Sequence, residues 1–452
     1  MLLETAYKII ANIIRSRLIP ISESIDHESQ CGFRPGRSTI DSIFSLKAVL
    51  KKRKEHGLET YVLFLDLVKA FDKVPRDTLW KVRSKFGVPS KLLNLIVALH
   101  TDIQVDFEFQ GIKKSFLSQI GVKQGDVLGP ILFNFYIAAI MISWRNSTTI
   151  NACIFKSSND FKTTGRNHNN MGTLFSFRDS AYADDTAVTF TSREDLQNGT
   201  QEICLHFDKW GMSIHTGNQS KISKSEIVKF SQTPQECNFP DIILCPNNSF
   251  IPLVSKFCYL GSIIDQSLSD RNDVINRIVK AGKAFGALRK PIFKNRDITN
   301  NSKARIYCAI IIPTLIYGSE NWCITVADEN KLQTFHNNCI RKIYKISRLT
   351  QQRRHITITS LRSRNHIPSI QTLLTRHFLR WAGHISRMSW DRLQRKLLSS
   401  WINRSRNNGS PGMTYGKTLN KHLQRAGLNP STWHQLAKDK SAWRKMLYDI
   451  NC

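Results

Sequence analysis

Acidic residues nearly run out in the last two fifths of this chain. Residues 271–452 hold 8 Asp and Glu against 34 Lys and Arg, whereas residues 1–270 hold 27 against 31, so almost all of the net +30 sits in the C-terminal part. Charge of one sign on this scale suits a polyanion, through phosphate neutralisation and counterion release; an anionic membrane or a solvated face are its other uses. Paired cysteines are missing as well. The ten cysteines include no Cys-x-x-Cys and no zinc-knuckle spacing, and His336 with Cys339 has no second pair. This argues against a structural zinc or a disulfide scaffold, and for reduced thiols in an intracellular protein. Long apolar runs are lacking too. ILFNFYIAAIMISW (131–144) and IYCAIIIPTLIYG (306–318) fall short of the roughly 20 residues that span a bilayer, and no signal peptide opens the chain. Both runs are therefore expected as core helices, with no membrane partner.

What the chain does have is size and pattern. Its 452 residues, 41% of them hydrophobic, are ample for more than one domain. Trp322, Trp381, Trp390 and Trp401 stand among the arginines of the basic part, which favours a nucleic-acid partner with stacking, although core packing is the commoner use of an aromatic. Helical spacing from Leu2 predicts a helix ending at Pro20; QCGFRPGRST (30–39) reads as a Gly/Pro/Arg loop, and a second helix follows to Gly57. YVLFLDL (61–67) is short and almost continuously apolar, the mark of a buried central strand, with a helix from about Pro75 to Phe86. IQVDFEFQ (103–110) and KKSFLSQI (113–120) pair across Gly111, and GVKQGD (121–126) turns into an apolar helix through Ile140. Residues 145–179 read as a loop or insertion. SAYADDTAVTF (180–190) reads as a hairpin, followed by a helix over 193–210, a strand EIVKF (226–230), a hairpin-like KFCYLGSII (256–264), and basic helices from 271 onward. The plan is an α+β sheet layered with helices.

Three features of this plan carry chemistry. Asp66 ends the buried strand, Asp184 and Asp185 occupy the hairpin tip, and GVKQGD lies between them in sequence. Adjacent carboxylates between apolar strands are costly unless a cation compensates, and the simplest is a hard one with oxygen ligands, Mg²⁺. Two such ions form the clamp of phosphoryl transfer. Neighbouring strand residues face opposite ways, so both aspartates can serve only if the tip is a turn; Asp184 takes the stronger role. Each piece alone is ordinary: an acidic hairpin tip is usually solvated, and Gln-Gly is a common turn.

Together, YADD, FLDLVKAFD and GVKQGDVLGPILFNFYI resemble the palm of reverse transcriptases. QCGFRPGRSTIDSIF, FCYLGSII, KARIYCAIIIPTLIYGSENW and LLTRHFLRWAGHISRM narrow the resemblance to non-LTR (LINE-type) retrotransposons, over roughly residues 1–395. The resemblance implies a right-hand polymerase: partial fingers (1–60), a palm with finger insertions and primer grip (61–270), a helical thumb (271–350) and a basic C-terminal extension (351–452). It implies an RNA-directed DNA polymerase, a nucleotidyltransferase, using two Mg²⁺ ions, with Mn²⁺ as a substitute. Asp66, Asp184 and Asp185 would be the metal ligands. Phe71 would be the gate against a ribose 2′-hydroxyl, with core packing as its plain alternative. Gln124, Gly125, Arg34 and Arg37 would meet nucleotide and template. Tyr259 and Gly261 would form the primer grip, or simply a strand pair, and Lys224, with Lys221 as competitor, would protonate pyrophosphate. The implied partners are an RNA template, a DNA primer and deoxynucleoside triphosphates, in a ribonucleoprotein of nucleus and cytoplasm.

Departures from the family pattern suggest a second outcome. The start, Met1-Leu2-Leu3, falls inside the family's fingers segment; GMSIHTGNQSKISKSE (211–226) carries His215 in place of Asn and extra residues before Lys224; 171–181 reads as shortened. No endonuclease-like segment is recognised. A decayed or domesticated copy that binds nucleic acid without catalysis is thus the alternative, with a group II intron-type maturase as runner-up among enzymes, disfavoured by GFRPGRST.

Overall fold

The computed structural model describes residues 4–123, 125–158, 172–218, 220–232, 241–406 and 413–450. The chain divides into two compact units, one of residues 1–46, 57–155 and 175–255, the other of 47–56, 156–174 and 256–452.

The first unit is built on a six-stranded sheet whose central member is the strand Thr60–Leu65, buried along its whole length. Aromatic and β-branched side chains with no polar interruption leave this stretch nowhere else to go. Antiparallel strands flank it. Asp185–Phe190 pairs with Leu65↔Thr186 and Leu63↔Val188, and Glu226–Phe230 pairs on the other side with Leu63↔Ile227. Asp179–Tyr182 forms one edge of the sheet. Ser249–Val254, parallel to Glu226–Phe230, and Ile242–Cys245 extend the other; neither was expected from the pattern. Their hairpin turns at Asn247 and Asn248, both left-handed at φ 60° and 53°, a conformation that asparagine tolerates. Helix Gly129–Ser147, apolar nearly all round, is the core of the helical layer and packs on helices Thr5–Ile25, Arg76–Lys85 and Arg193–Lys209.

Two local expectations are corrected. The first helix does not stop at Pro20 but runs to Ile25. The missing Pro20 N–H removes one bond of the ladder, while buried Leu18 and Ser22 hold the next turn down, and Ser22 Oγ donates to Asp26 Oδ2 at 2.8 Å. The segment 145–179 contains strands Cys153–Ser157 and Thr173–Phe177 rather than loop alone; residues 159–171 lie outside the described residues. The hairpin Ile103–Phe109 with Ile112–Ser118 forms as expected, turning at Gln110 and Gly111.

The second unit opens with the hairpin Lys256–Tyr259 and Ser262–Asp265 and continues almost wholly helical. One core gathers Val274, Phe285, Tyr307, Trp322 and Ile340; another gathers Phe378, Trp433, Trp443 and Leu447. Trp322 and Trp381 are 1% and 6% exposed, so neither is a platform for stacking bases. Each faces inward on its element, and Trp322 Nε1 donates to buried Asp273 at 2.9 Å. Asp270 is the unit's electrostatic anchor, accepting from Lys47 Nζ (2.8 Å), Lys51 Nζ (3.0 Å) and the Cys323 N–H (2.7 Å). Lys47 and Lys51 hold its carboxyl far below the usual carboxylate range despite full burial. Among the described residues no helix is long and apolar enough to cross a membrane.

Candidate active site

Strand pairing brings the three aspartates of the sequence motifs to one place. The antiparallel pair Leu65↔Thr186 sets Asp66, the next residue of the central strand, against Asp185. The partner hairpin closes with Tyr182↔Asp185, so Ala183 and Asp184 are the two residues of its turn. That turn reconciles the alternation rule with two neighbouring carboxylates at one place: Asp184 stands in the turn, half-buried, and Asp185 opens the strand, exposed. Burial raises the Asp184 carboxyl, and the Asp66 charge adds to this. Asp185 is pushed up to about 6, first by the protein packed around it, then by the charges of Asp184 and Asp66. The trio is thus a knot of mutually repelling carboxylates. Among the described residues no three His, Cys, Asp or Glu side chains stand as a ready-made metal-binding group. What fits a cation here is the donor chemistry: oxygen ligands only, excess negative charge and partial burial.

Asp66 is held from below by the segment 213–225. Its N–H donates to Ser225 Oγ (3.1 Å), its carbonyl accepts from the His215 N–H (2.8 Å), and Val68 N–H donates to Ser213 O. His215 Nδ1 accepts from the Lys224 N–H at 3.1 Å. Lys224 and Lys221 are both exposed, and both charges act on His215, lowering its pKa after burial has done so. The geometry leaves the choice between these two lysines open.

Phe71 lies half-buried beyond the central strand, stacked on Phe133 (centroids 4.5 Å, planes 20° apart) and edge-on to Phe33 at 6.3 Å. Its carbonyl accepts from the Val122 N–H (2.8 Å), which ties the GVKQGD loop to the Phe71 segment. Gln124 lies outside the described residues. Gly125 is left-handed at φ 89°, a conformation that favours glycine, and Gly121 abuts Asp72, where a Cβ would sit 2.6 Å from the carbonyl oxygen. Arg76 donates to the carbonyls of Gly121, His100 and Ser118, and Tyr7 OH donates to Asp126 at 2.5 Å. The loop is thus fastened from three sides.

Arg34 and Arg37 answer differently from what the motif implied. Arg34 is buried, bidentate to Glu23 (2.9 and 3.0 Å), within 3.7 Å of Asp26, and donates to the carbonyls of His27 and Gln30. Arg37 is bidentate to Glu28 at 2.7 Å. Both guanidiniums tie the 23–37 segment to itself through these acidic partners, whereas the sequence motif had implied nucleotide contacts for them. Tyr259 and Gly261 belong to the second unit. Leu260 and Gly261, at φ 48° and 81°, form the turn of the FCYLGSII hairpin. Tyr317 OH donates to the Leu260 carbonyl (3.1 Å), and Arg277 donates to the Gly261 carbonyl. Tyr259 is 2% exposed, a core residue of that hairpin.

Sequence reading missed what supports the turn of Ala183 and Asp184. Residues 29–32 lie alongside Ala181 as a short parallel bridge: Cys31 N–H donates to Ala181 O and Ala181 N–H to Ser29 O, both at 2.9 Å. Buried Asp179 accepts from Arg145 (2.6 and 2.9 Å) and from Ser29 Oγ (2.8 Å).

A sheet whose central strand and adjoining antiparallel hairpin bring three carboxylates to one end has the arrangement of a polymerase palm. The chain belongs to the reverse transcriptase (RNA-dependent DNA polymerase) family, whose model matches residues 1–262. Its relatives come from non-LTR retrotransposons. It is 24% identical to the "Probable RNA-directed DNA polymerase from transposon X-element" of Drosophila melanogaster, over 90% of this chain and 40% of that protein. It is 25% identical to the RNA-directed DNA polymerase from mobile element jockey of Drosophila funebris, over 76% of this chain and 35% of that one. It is 23% identical to the Pol polyprotein from type-1 retrotransposable element R2 of Popillia japonica, over 68% and 46%. The chain therefore spans between a third and a half of the length of these curated relatives.

Proposed function

We propose that this chain copies RNA into DNA, adding deoxynucleotides to a DNA primer on a retrotransposon RNA template. The observation that carries the reading is the convergence of Asp66, Asp184 and Asp185, from segments more than a hundred residues apart, on one end of the sheet. These three hold the divalent cations, Asp66 and Asp184 chiefly and Asp185 in support. When bound, two Mg²⁺ ions, or Mn²⁺ in their place, lower the pKa of the attacking primer hydroxyl and neutralise charge on the transferring phosphorus. Phe71, pinned between Phe133 and Phe33, presents a fixed wall where a ribose 2′-hydroxyl would clash. The GVKQGD loop, fastened to Phe71 and Arg76, lines the incoming nucleotide and template base through Gln124 and Gly125. Lys224 or Lys221 delivers a proton to the leaving pyrophosphate. In the second unit, the exposed Lys280, Lys283, Arg289, Lys290, Lys294 and Arg305 hold template–primer phosphates irrespective of sequence, and Tyr259 and Gly261 shape the hairpin that meets the primer. The proposed setting is a ribonucleoprotein of nucleus and cytoplasm.

The test is primer extension on an RNA template with Mg²⁺ and deoxynucleotides, with Asp184→Ala beside the wild type and RNA binding measured for both. Extension by the wild type alone, with equal RNA binding, supports the reading. A folded, RNA-binding wild type that does not extend would make the chain a nucleic-acid-binding protein instead.

A further inference from the structure

The catalytic turn is an unusual one. Ala183, its first residue, is left-handed at φ 58°, a conformation costing a non-glycine residue about 1 kcal/mol, and it is 3% exposed, so its N–H has no water to fall back on. Its N–H finds Gln30 Oε1 at 3.1 Å, and the same oxygen accepts from the Gly32 N–H at 2.8 Å. Gln30 is itself 6% exposed and lies 153 residues away in sequence. Around it the fit is close. Gly32 has no room for a side chain, since a Cβ would stand 2.2 Å from the Ala183 nitrogen, and its carbonyl is fixed by Asn134 Nδ2 at 2.8 Å. The next residue, Phe33, reaches Phe71. One loop thus grips both the turn that carries Asp184 and the aromatic wall beside it.

We propose that Gln30 is a positioning residue: by bridging the Gly32 and Ala183 N–H groups through one oxygen, it fixes the turn from which Asp184 and Asp185 reach the cation. The inference rests on the reading of those aspartates as cation ligands. A group that orients ligands without touching the ion typically accounts for ten- to a hundredfold in metal affinity or activity.

The experiment measures Mn²⁺ affinity of the full chain by electron paramagnetic resonance, together with primer extension and RNA affinity, for the wild type, Gln30→Leu, Gln30→Glu and Asp184→Ala. Leucine removes the acceptor; glutamate keeps it but gives up the Nε2 donor that meets the Ala183 carbonyl at 3.5 Å. The expected result for Gln30→Leu is at least tenfold weaker Mn²⁺ binding and a kcat lower by ten- to a hundredfold, with RNA affinity within twofold of wild type. Gln30→Glu should recover most of that loss. Wild-type Mn²⁺ affinity in Gln30→Leu, or equal damage in the leucine and glutamate variants, would overturn the proposal. Should Gln30→Leu not fold, amide exchange in the wild type decides: the Ala183 N–H must be protected like the flanking strands, and rapid exchange there refutes the bridge. A wild type that binds Mn²⁺ through Asp184 but does not extend primers defeats the polymerase reading and leaves this one standing. A wild type that binds no Mn²⁺ defeats both.

Discussion

Asp270→Ala should cost the second unit several kcal/mol, and the structure says why. The Asp270 side chain is 2% exposed and satisfies three donors: Lys47 Nζ at 2.8 Å, Lys51 Nζ at 3.0 Å and the Cys323 N–H at 2.7 Å. Truncation leaves the Lys47 ammonium, 6% exposed, with Ser262 Oγ as its remaining acceptor, and strands a buried N–H. Breaking a buried ion pair from one side costs about 3–5 kcal/mol, and an unsatisfied buried N–H about 1–3. These terms overlap, and Lys51, 17% exposed, can turn toward water, so about 4 kcal/mol is expected. Asp270→Asn, which keeps an acceptor for Cys323, should cost less. In a chain of two units a single unfolding midpoint is not a clean measure, so hydrogen exchange of peptides spanning 262–277 and 320–325 is the assay. A second condition sharpens it. The folded pKa lies below the unfolded one, so the contribution is in full force above about pH 4 and fades only as pH falls through the lower folded value. A wild-type-like exchange pattern in Asp270→Ala, or a loss below about 1 kcal/mol, would refute the reasoning.

At the active site, Gly32→Ala sets a methyl against main-chain atoms of Ala183 and Tyr182 at 2.2 and 2.8 Å, so the turn must move by roughly 1 Å; a misplacement of that size costs about a hundredfold in kcat, whereas Gly286→Ala, with open space around it, should leave primer extension far less affected. Native-like kinetics in Gly32→Ala would show that the turn has slack. The raised Asp184 and Asp185 carboxyls make the opposite pH argument to Asp270. Because both folded pKa values exceed the unfolded ones, ionisation weighs against the fold; for Asp185 it does so fully above about pH 6 and not at all below about pH 4. Mg²⁺ should therefore raise the melting temperature at pH 7.5 and lose that effect as pH drops below about 6, where protons compete; a Mg²⁺ shift independent of pH would contradict this. Phe71→Val should relax the exclusion of ribonucleotides in single-nucleotide incorporation, and unchanged discrimination would remove Phe71 as the gate.

The sequence by itself determined most of the elements around the site and the order of the motifs. A run such as YVLFL reads as a buried strand, alternation over 103–110 followed by Gly111 reads as the first arm of a hairpin, and an Asp-Asp pair between strand-forming residues calls for a turn and a counter-charge; each of these is a short-range matter of period, turn chemistry and repulsion. The tertiary structure decided which polar groups are left for function. Arg34 and Arg37, exposed-looking in a Gly/Pro loop, pair with Glu23, Asp26 and Glu28, and Trp322 and Trp381, interleaved with arginines, turned inward. Pro20 did not end its helix, because packing of Leu18 and Ser22 outweighs one lost hydrogen bond. The bracket of Gln30 and Gly32 on Ala183 was beyond any local pattern. Contacts between residues 150 positions apart carry no periodic signature; they exist only once the sheet has set the hairpin beside the loop, where a single oxygen and a missing methyl decide how the aspartates stand.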